Sequence, residues 1–230
     1  MNDLELTGRA RTHVIEIADP PCTLHRAAAP AFLAMRAAAA QAGIDLEPVS
    51  SYRDFDAQLR IWNEKFRGQR TLFDRNGVEL VHAALSEGEI IDAILSWSAA
   101  PGASRHHWGT EVDVVDRAAV PPSARVRLLP EEYFPGGSFA HLSLWLDQHM
   151  AGFGFFRPYR TDRGGVSPEP WHLSYAPVSQ AALADMTIER LRKALLDSAI
   201  DGKQLLLERL DSVHRRYVAS VDSPPPGTVA

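Results

Sequence analysis

Two histidines stand in company that suits catalysis. His106 precedes Asp113 by seven residues in SRHHWGTEVD, with Gly109 between them, and His172 follows Glu169 by three residues in EPWHLSY. Glycine lets a chain turn sharply before a strand, so a loop side chain and a strand side chain can converge. Two imidazoles and one carboxylate make a three-ligand set for a catalytic zinc, with the fourth position open to water. A further carboxylate, kept off the metal, would take that water's proton. Each pattern alone is a weak signal, because His and Asp at such spacing recur without a metal. Their co-occurrence and their flanking residues carry the weight.

Both segments resemble signature motifs of one family, the zinc D-Ala-D-Ala carboxypeptidases of the vancomycin-resistance type. SRHHWGTEVD (104–113) is similar to the S-x-H-x-x-G-x-A-x-D motif of that family, and EPWHLSY (169–175) to its E-P-W-H-x-x-Y motif. SSYRDFDAQ (50–58) resembles S-G-Y-R-S-x-x-x-Q, and WLDQHMAGFGFFRPY (145–159) resembles a stretch with W followed by G-F-x-x-R-Y. The likeness runs over about 45–177 in the family order. It implies one zinc ion held by His106, Asp113 and His172, with Glu169 as general base. It also implies Arg53 as the clamp on a substrate's terminal carboxylate, with Gln58 and Ser104 as further substrate-binding positions. An arginine fork binds a carboxylate bidentately and keeps its charge, which suits recognition of a free C-terminus.

The implied activity is removal of a C-terminal D-amino acid, D-alanine first, from a peptidoglycan stem peptide or another D-Ala-terminated peptide. Other readings are a cytoplasmic D,D-dipeptidase or L,D-carboxypeptidase, a phage-type endolysin, and a non-catalytic zinc-bearing peptide-binding module. The full set of ligands and base favours an enzyme. E-P-W-H, rather than W-D-x-x-H, points to the carboxypeptidase branch.

One position departs from the resemblance: Glu111 stands where the family has alanine. On an extended segment it shares a face with Asp113. It is expected to be solvated, to pair with a cation such as Arg53 or Arg157, or to face the substrate. A fourth zinc ligand is disfavoured because it would close the position that water needs.

The elements that must position these residues are legible in outline. Helices are expected over 26–42, over 55–66 after an Asp54 cap, and from a Ser86/Glu89 capping box to about Trp97. A hairpin is expected around Asn76-Gly77 within 71–81, and a β-branched strand over 111–115. Ser138 is read as the cap of a helix ending near Gly152 or Gly154. On a strand over 171–175, Trp171, Leu173 and Tyr175 would face one side and His172 and Ser174 the other. His107, next to a ligand, is expected to point elsewhere, and Cys22 to be an inert thiol. Runs of helix and strand that do not alternate regularly argue an α+β fold, a small mainly antiparallel sheet carrying the zinc site with helices on its outer side. Residues 1–178 are read as the catalytic domain, 179–218 as a C-terminal helical appendage, and 219–230 as a disordered tail.

Composition bounds the rest. The chain has 230 residues, 24 basic and 29 acidic, with 45% hydrophobic and 23% charged residues. The net charge of −5 lacks the basic excess of a nucleic-acid binder. No apolar run is long enough to span a membrane. The single cysteine excludes an intrachain disulfide framework. The N-terminus lacks a basic-then-apolar leader, so a cytoplasmic location is expected. Composition says nothing about oligomeric state.

Overall fold

The computed structural model describes residues 1–120 and 126–228. A short helix, α1 (Asp3–Leu6), precedes a hairpin of β1 (Val14–Ile17) and β2 (Cys22–His25). Helix α2 (Ala28–Gln41) leads into β3 (Leu46–Ser50) and α3 (Phe55–Phe66). A second hairpin, β4 (Leu72–Phe73) and β5 (Glu79–Leu80), and helix α4 (Glu87–Trp97) come before β6 (Glu111–Asp116). Then follow α5 (Ala140–His149), β7 (Phe155–Phe156) and β8 (His172–Tyr175). The chain closes with α6 (Ala176–Asp185), α7 (Ile188–Leu196), α8 (Lys203–Glu208) and α9 (Leu210–Val213). The architecture is α+β. None of the described helices is long and apolar enough to cross a membrane.

Local chemistry accounts for the helix starts. Asp54 Oδ1 accepts from the Ala57 amide at 2.7 Å. Ser86 and Glu89 cap α4 reciprocally, satisfying amide donors that have no partner within the helix. Ser138 does not cap α5. Phe139 occupies that position with no side-chain cap, and its ring is buried against Tyr133. Burial of the ring, rather than a hydroxyl, fixes where this helix begins.

Strands β3, β6, β8 and β7, in that order, form an antiparallel four-stranded sheet. Its register brings the site together: Asp113 pairs with Ser50 on one side and His172 on the other, and Glu111 pairs with Ser174. Side chains alternate across a strand, so Glu111, Asp113, His172 and Ser174 share one face. Val112, Val114 and Leu173 take the opposite face, in a core with Phe32 and Met35 of α2 and Leu142 and Leu146 of α5.

A second core forms among the helices, and the C-terminal segment is part of it. Leu191, Leu195, Leu206, Leu210 and Val213 pack with Trp62 of α3 and Ile91 and Ile94 of α4. The Trp62 indole also donates to the Asp201 carbonyl at 3.0 Å. Residues 179–218 thus share a core with α3 and α4. Their leucine spacing is a packing face, as expected, but it completes the core that carries α3. Within the tail Asp222 is anchored: it accepts from the Thr161 amide at 2.7 Å and pairs with Arg163 at 2.7 Å. Residues 229–230 lie outside the described residues. Leu206 is fully buried, so Leu206→Ala is expected to cost about 2–5 kcal/mol in urea unfolding; a loss within about 0.5 kcal/mol would contradict this packing.

Candidate active site

His106 lies on a short 3₁₀ turn (Arg105–Trp108) that closes on Gly109, whose φ is +66°. That conformation alone favours glycine. A Cβ there would also stand 2.5 Å from Val14 Cγ1 and 2.8 Å from the His25 backbone nitrogen. The β1–β2 hairpin thus buttresses the turn, with the His25 amide donating to the Gly109 carbonyl at 2.7 Å. From this turn His106 donates through Nδ1 to the Ser51 carbonyl at 2.8 Å. Its Nε2 is then left with a lone pair, 3.4 Å from Asp113 Oδ2. Burial holds the His106 pKa down to about 4, so the ring is neutral, as a ligand must be.

His172 arrives on β8 directly opposite Asp113. Its Nδ1 lies 3.2 Å from Asp113 Oδ1 and 3.2 Å from Glu169 Oε2. Its ring meets that of His106 edge-on, with centroids 4.9 Å apart. Candidate ligand atoms of His106, Asp113 and His172 all lie within 4.8 Å of one another. Zinc bonds of about 2.1 Å in tetrahedral array imply ligand–ligand edges of roughly 3.4 Å; His106 Nε2 stands 3.4 Å from Asp113 Oδ2 and His172 Nδ1 3.2 Å from Asp113 Oδ1, each imidazole at that spacing from one carboxylate oxygen. Asp113 Oδ1 is buried and makes no hydrogen bond, an orphaned acceptor of the kind a cation satisfies. The donor set therefore fits one zinc ion.

Charge at the site is arranged around that gap. Burial opposes ionisation of Asp113, but His106, His172 and Arg53 outweigh it and hold its pKa at about 2. For His172 burial is likewise outweighed, by Asp113, Glu111 and Glu169, and its pKa stands well above the ordinary imidazole range. Glu169 responds in the other direction: burial dominates and pushes its carboxyl up. A carboxylate with raised pKa accepts a proton more readily near neutrality. Pro170 biases Glu169 toward an extended backbone, and the Glu169 amide donates to the Tyr159 carbonyl at 2.9 Å. The Pro170 carbonyl in turn accepts from Arg157 Nε at 2.7 Å, while Arg157 pairs with Asp147 of α5 at 2.6 Å.

Arg53 lines the same cavity, of about 320 Å³, together with Ser104, His106, Asp113, Glu169 and His172. Its guanidinium donates to Gln58 Oε1 at 2.7 Å and Ser50 Oγ at 3.0 Å. Gln58 is fully buried and is not part of the cavity wall. Its amide nitrogen is spent on the Ala99 carbonyl at 2.7 Å and Ser98 Oγ at 3.1 Å. Gln58, expected as a substrate-binding position, thus stands behind the cavity wall with its carbonyl oxygen on Arg53. His107 is also structural. It is fully buried, donates through Nδ1 to the Arg53 carbonyl at 2.6 Å, and accepts the Gly102 amide at 3.1 Å.

Sequence reasoning missed one feature and left a second open. Lys65, Arg70 and Arg127 also line the cavity, giving it a basic wall in an acidic protein. Lys65 lies two turns beyond Gln58 on α3, a spacing that puts both on one helical face. The second feature is Glu111. It is neither solvated nor aimed at substrate, and its cation is neither Arg53 nor Arg157. It is fully buried and pairs with Arg105 at 3.3 Å.

Known proteins resemble this chain in sequence and in fold. The family model of VanY, D-alanyl-D-alanine carboxypeptidase, matches residues 21–178. An uncharacterized protein of Haemophilus influenzae is 36% identical over 118 residues, covering 50% of this chain and 90% of that relative. A D-alanyl-D-alanine carboxypeptidase of Enterococcus faecalis is 29% identical over 135 residues, 57% of this chain but only 40% of the relative. Among solved structures, VanYB in complex with D-Ala-D-Ala superposes with a TM-score of 0.53 at 22% identity, covering 76% of this chain and 82% of the other. A VanY D,D-pentapeptidase mutant solved with Zn(II) gives 0.52 at 22% identity, covering 76% and 83%. A fold, a zinc-fitting donor set and a family match over most of the chain agree: this protein belongs to the VanY D-alanyl-D-alanine carboxypeptidase family of zinc peptidases.

Proposed function

We propose that this chain removes the C-terminal D-amino acid, D-alanine first, from peptidoglycan-type peptides. His106, Asp113 and His172 are the zinc ligands in this reading, Glu169 is the general base and Arg53 the carboxylate clamp. The observation that carries the reading is that all five line one cavity. When bound, zinc supplies Lewis-acid polarisation of the scissile carbonyl and eases deprotonation of the attacking water.

The chain's own residues do the rest. Arg53, steadied by Gln58 and Ser50, takes the terminal carboxylate and so sets which peptide bond reaches the triad. Glu169 accepts one proton from water as the water oxygen bonds to the carbonyl carbon. It returns that proton to the departing amine as the C–N bond breaks. Burial keeps Glu169 away from bulk solvent, which strengthens its electrostatic coupling to the reacting atoms. Ser104 lines the wall beside them as a further substrate contact. The basic wall of Lys65, Arg70 and Arg127 favours peptides that carry carboxylates.

The test uses zinc-loaded protein and four peptides, ending in D-Ala or L-Ala, each as free acid or C-terminal amide. Release confined to the D-Ala free acid supports the reading. Cleavage that ignores the terminal amide favours an endopeptidase, and a further pair of D-Ala free acids with a D or an L residue before the bond distinguishes D,D from L,D specificity. Gln58→Leu is expected to raise KM for the free acid about 10-fold with a smaller change in kcat, because the guanidinium loses its fixed orientation. An unchanged KM would show that Arg53 does not depend on Gln58.

A further inference from the structure

The geometry assigns Glu111 a role that the alanine of the family motif cannot fill: it is a positioning residue for the zinc ligand His172. Glu111 Oε2 accepts from His172 Nε2 at 2.8 Å, while Nδ1 of the same ring faces Asp113 and Glu169. The two ring nitrogens are thus divided, one toward the metal position and one toward Glu111. A metal-ligating histidine that gives its other N–H to a carboxylate has its tautomer and ring direction fixed, and its basicity as a ligand raised.

Glu111 is itself held from every side. Its Oε1 accepts from Thr110 Oγ1 at 2.9 Å and from Ser174 Oγ at 2.8 Å. Arg105, buried and lying over the Trp108 ring, stands 3.3 Å from the same oxygen and donates to Ser174 Oγ at 2.6 Å. A lone buried carboxylate would be strongly disfavoured; the Arg105 guanidinium supplies its counterion. The strand register accounts for the reach: Glu111 pairs with Ser174, two residues beyond His172 on β8. Arg105 and Glu111 flank the motif's His106 and Gly109, so one short segment carries both the charge and its neutralisation. With both oxygens occupied, Glu111 is neither a fourth ligand nor a substrate contact.

This inference rests on His172 being a zinc ligand, and the test separates the two claims. Zinc-loaded wild type, Glu111→Gln and the double variant Arg105→Leu/Glu111→Ala are mixed with excess chelator, and the rate of zinc release is followed. That rate is independent of proton competition for the empty site. Glu111→Gln keeps the shape and an acceptor but leaves buried Arg105 without its carboxylate, whereas the double variant removes both buried charges and leaves no unpaired ion. Release is expected to be 10- to 100-fold faster in the double variant and intermediate in Glu111→Gln. The visible spectrum of the cobalt-substituted double variant is expected to differ from that of wild type. Release within twofold of wild type in both variants, with an unchanged cobalt spectrum, would reduce the pair to a structural ion pair and overturn the inference. A wild type that retains no zinc would overturn the metal site beneath it.

Discussion

Replacing Glu169 by glutamine is expected to lower kcat by about 10²–10⁴-fold while one zinc per chain stays bound. The size of the effect follows from where the carboxylate sits. Glu169 is buried, its pKa is raised by that burial, and its Oε2 lies 3.2 Å from the ring of His172. Glutamine preserves volume and can occupy the same position, so ligands and clamp are left in place. It cannot accept and return a proton. The loss is expected in kcat with KM nearly unchanged, the signature of an interaction used only in the transition state. Glu169→Ala is expected to behave alike, with zinc content measured by atomic absorption as the control. Turnover near that of wild type would remove Glu169 from the chemistry.

Asp113→Ala is expected to abolish zinc retention and bring activity to background. Asp113 is the only carboxylate of the ligand set, central in the sheet between Ser50 and His172. It is held ionised at a pKa of about 2. Without it two imidazoles remain, too few for a catalytic zinc site. The consequence appears in stability as well as in rate. Saturating a site at 1,000 times its Kd stabilises a fold by about 4 kcal/mol, so zinc is expected to raise the Tm of the metal-stripped wild type by several degrees. No such shift is expected for Asp113→Ala. An equal shift in both proteins would place the metal elsewhere.

Zinc loading is also expected to follow pH in a definite direction. His172 carries a raised pKa in the metal-free protein because Asp113, Glu111 and Glu169 surround it. A proton on Nδ1 competes with the ion, so binding releases that proton and affinity rises with pH through neutrality. Calorimetry in buffers of different ionisation enthalpy measures the proton count. Zero proton release near neutral pH would contradict a protonated His172 in the empty site.

How far these features were readable in the sequence depended on how local their causes were. Asp54 and the Ser86/Glu89 box act within one turn, and α3 and α4 begin where those residues say. The alternation around His172 is equally local, and His172 and Ser174 do share a face with Asp113. Gly109 marked a turn from its type alone, though its second constraint, contact with Val14 and His25, comes from a hairpin far earlier in the chain. That hairpin escaped reading because its strands have half-exposed, weakly patterned residues. The C-terminal leucines announced a packing face but not what it would cover. Trp62, Ile91 and Ile94 supply that surface from about 100 residues or more away. For Glu111 the sequence offered pairing with a cation but not which cation, for the same reason. Its environment is built from Arg105 on a turn and from Ser174 and His172 on β8, and only the register brings them together.

The most direct test of the central claim is hydrolysis in water enriched in oxygen-18. Zinc-loaded protein is incubated with a D-Ala-terminated stem peptide, and both products are weighed by mass spectrometry. One heavy oxygen is expected in the new carboxyl group of the shortened peptide, none in the released D-alanine, and neither product after the zinc has been removed by a chelator. An intact peptide in the presence of zinc, or label in the D-alanine, would contradict the account.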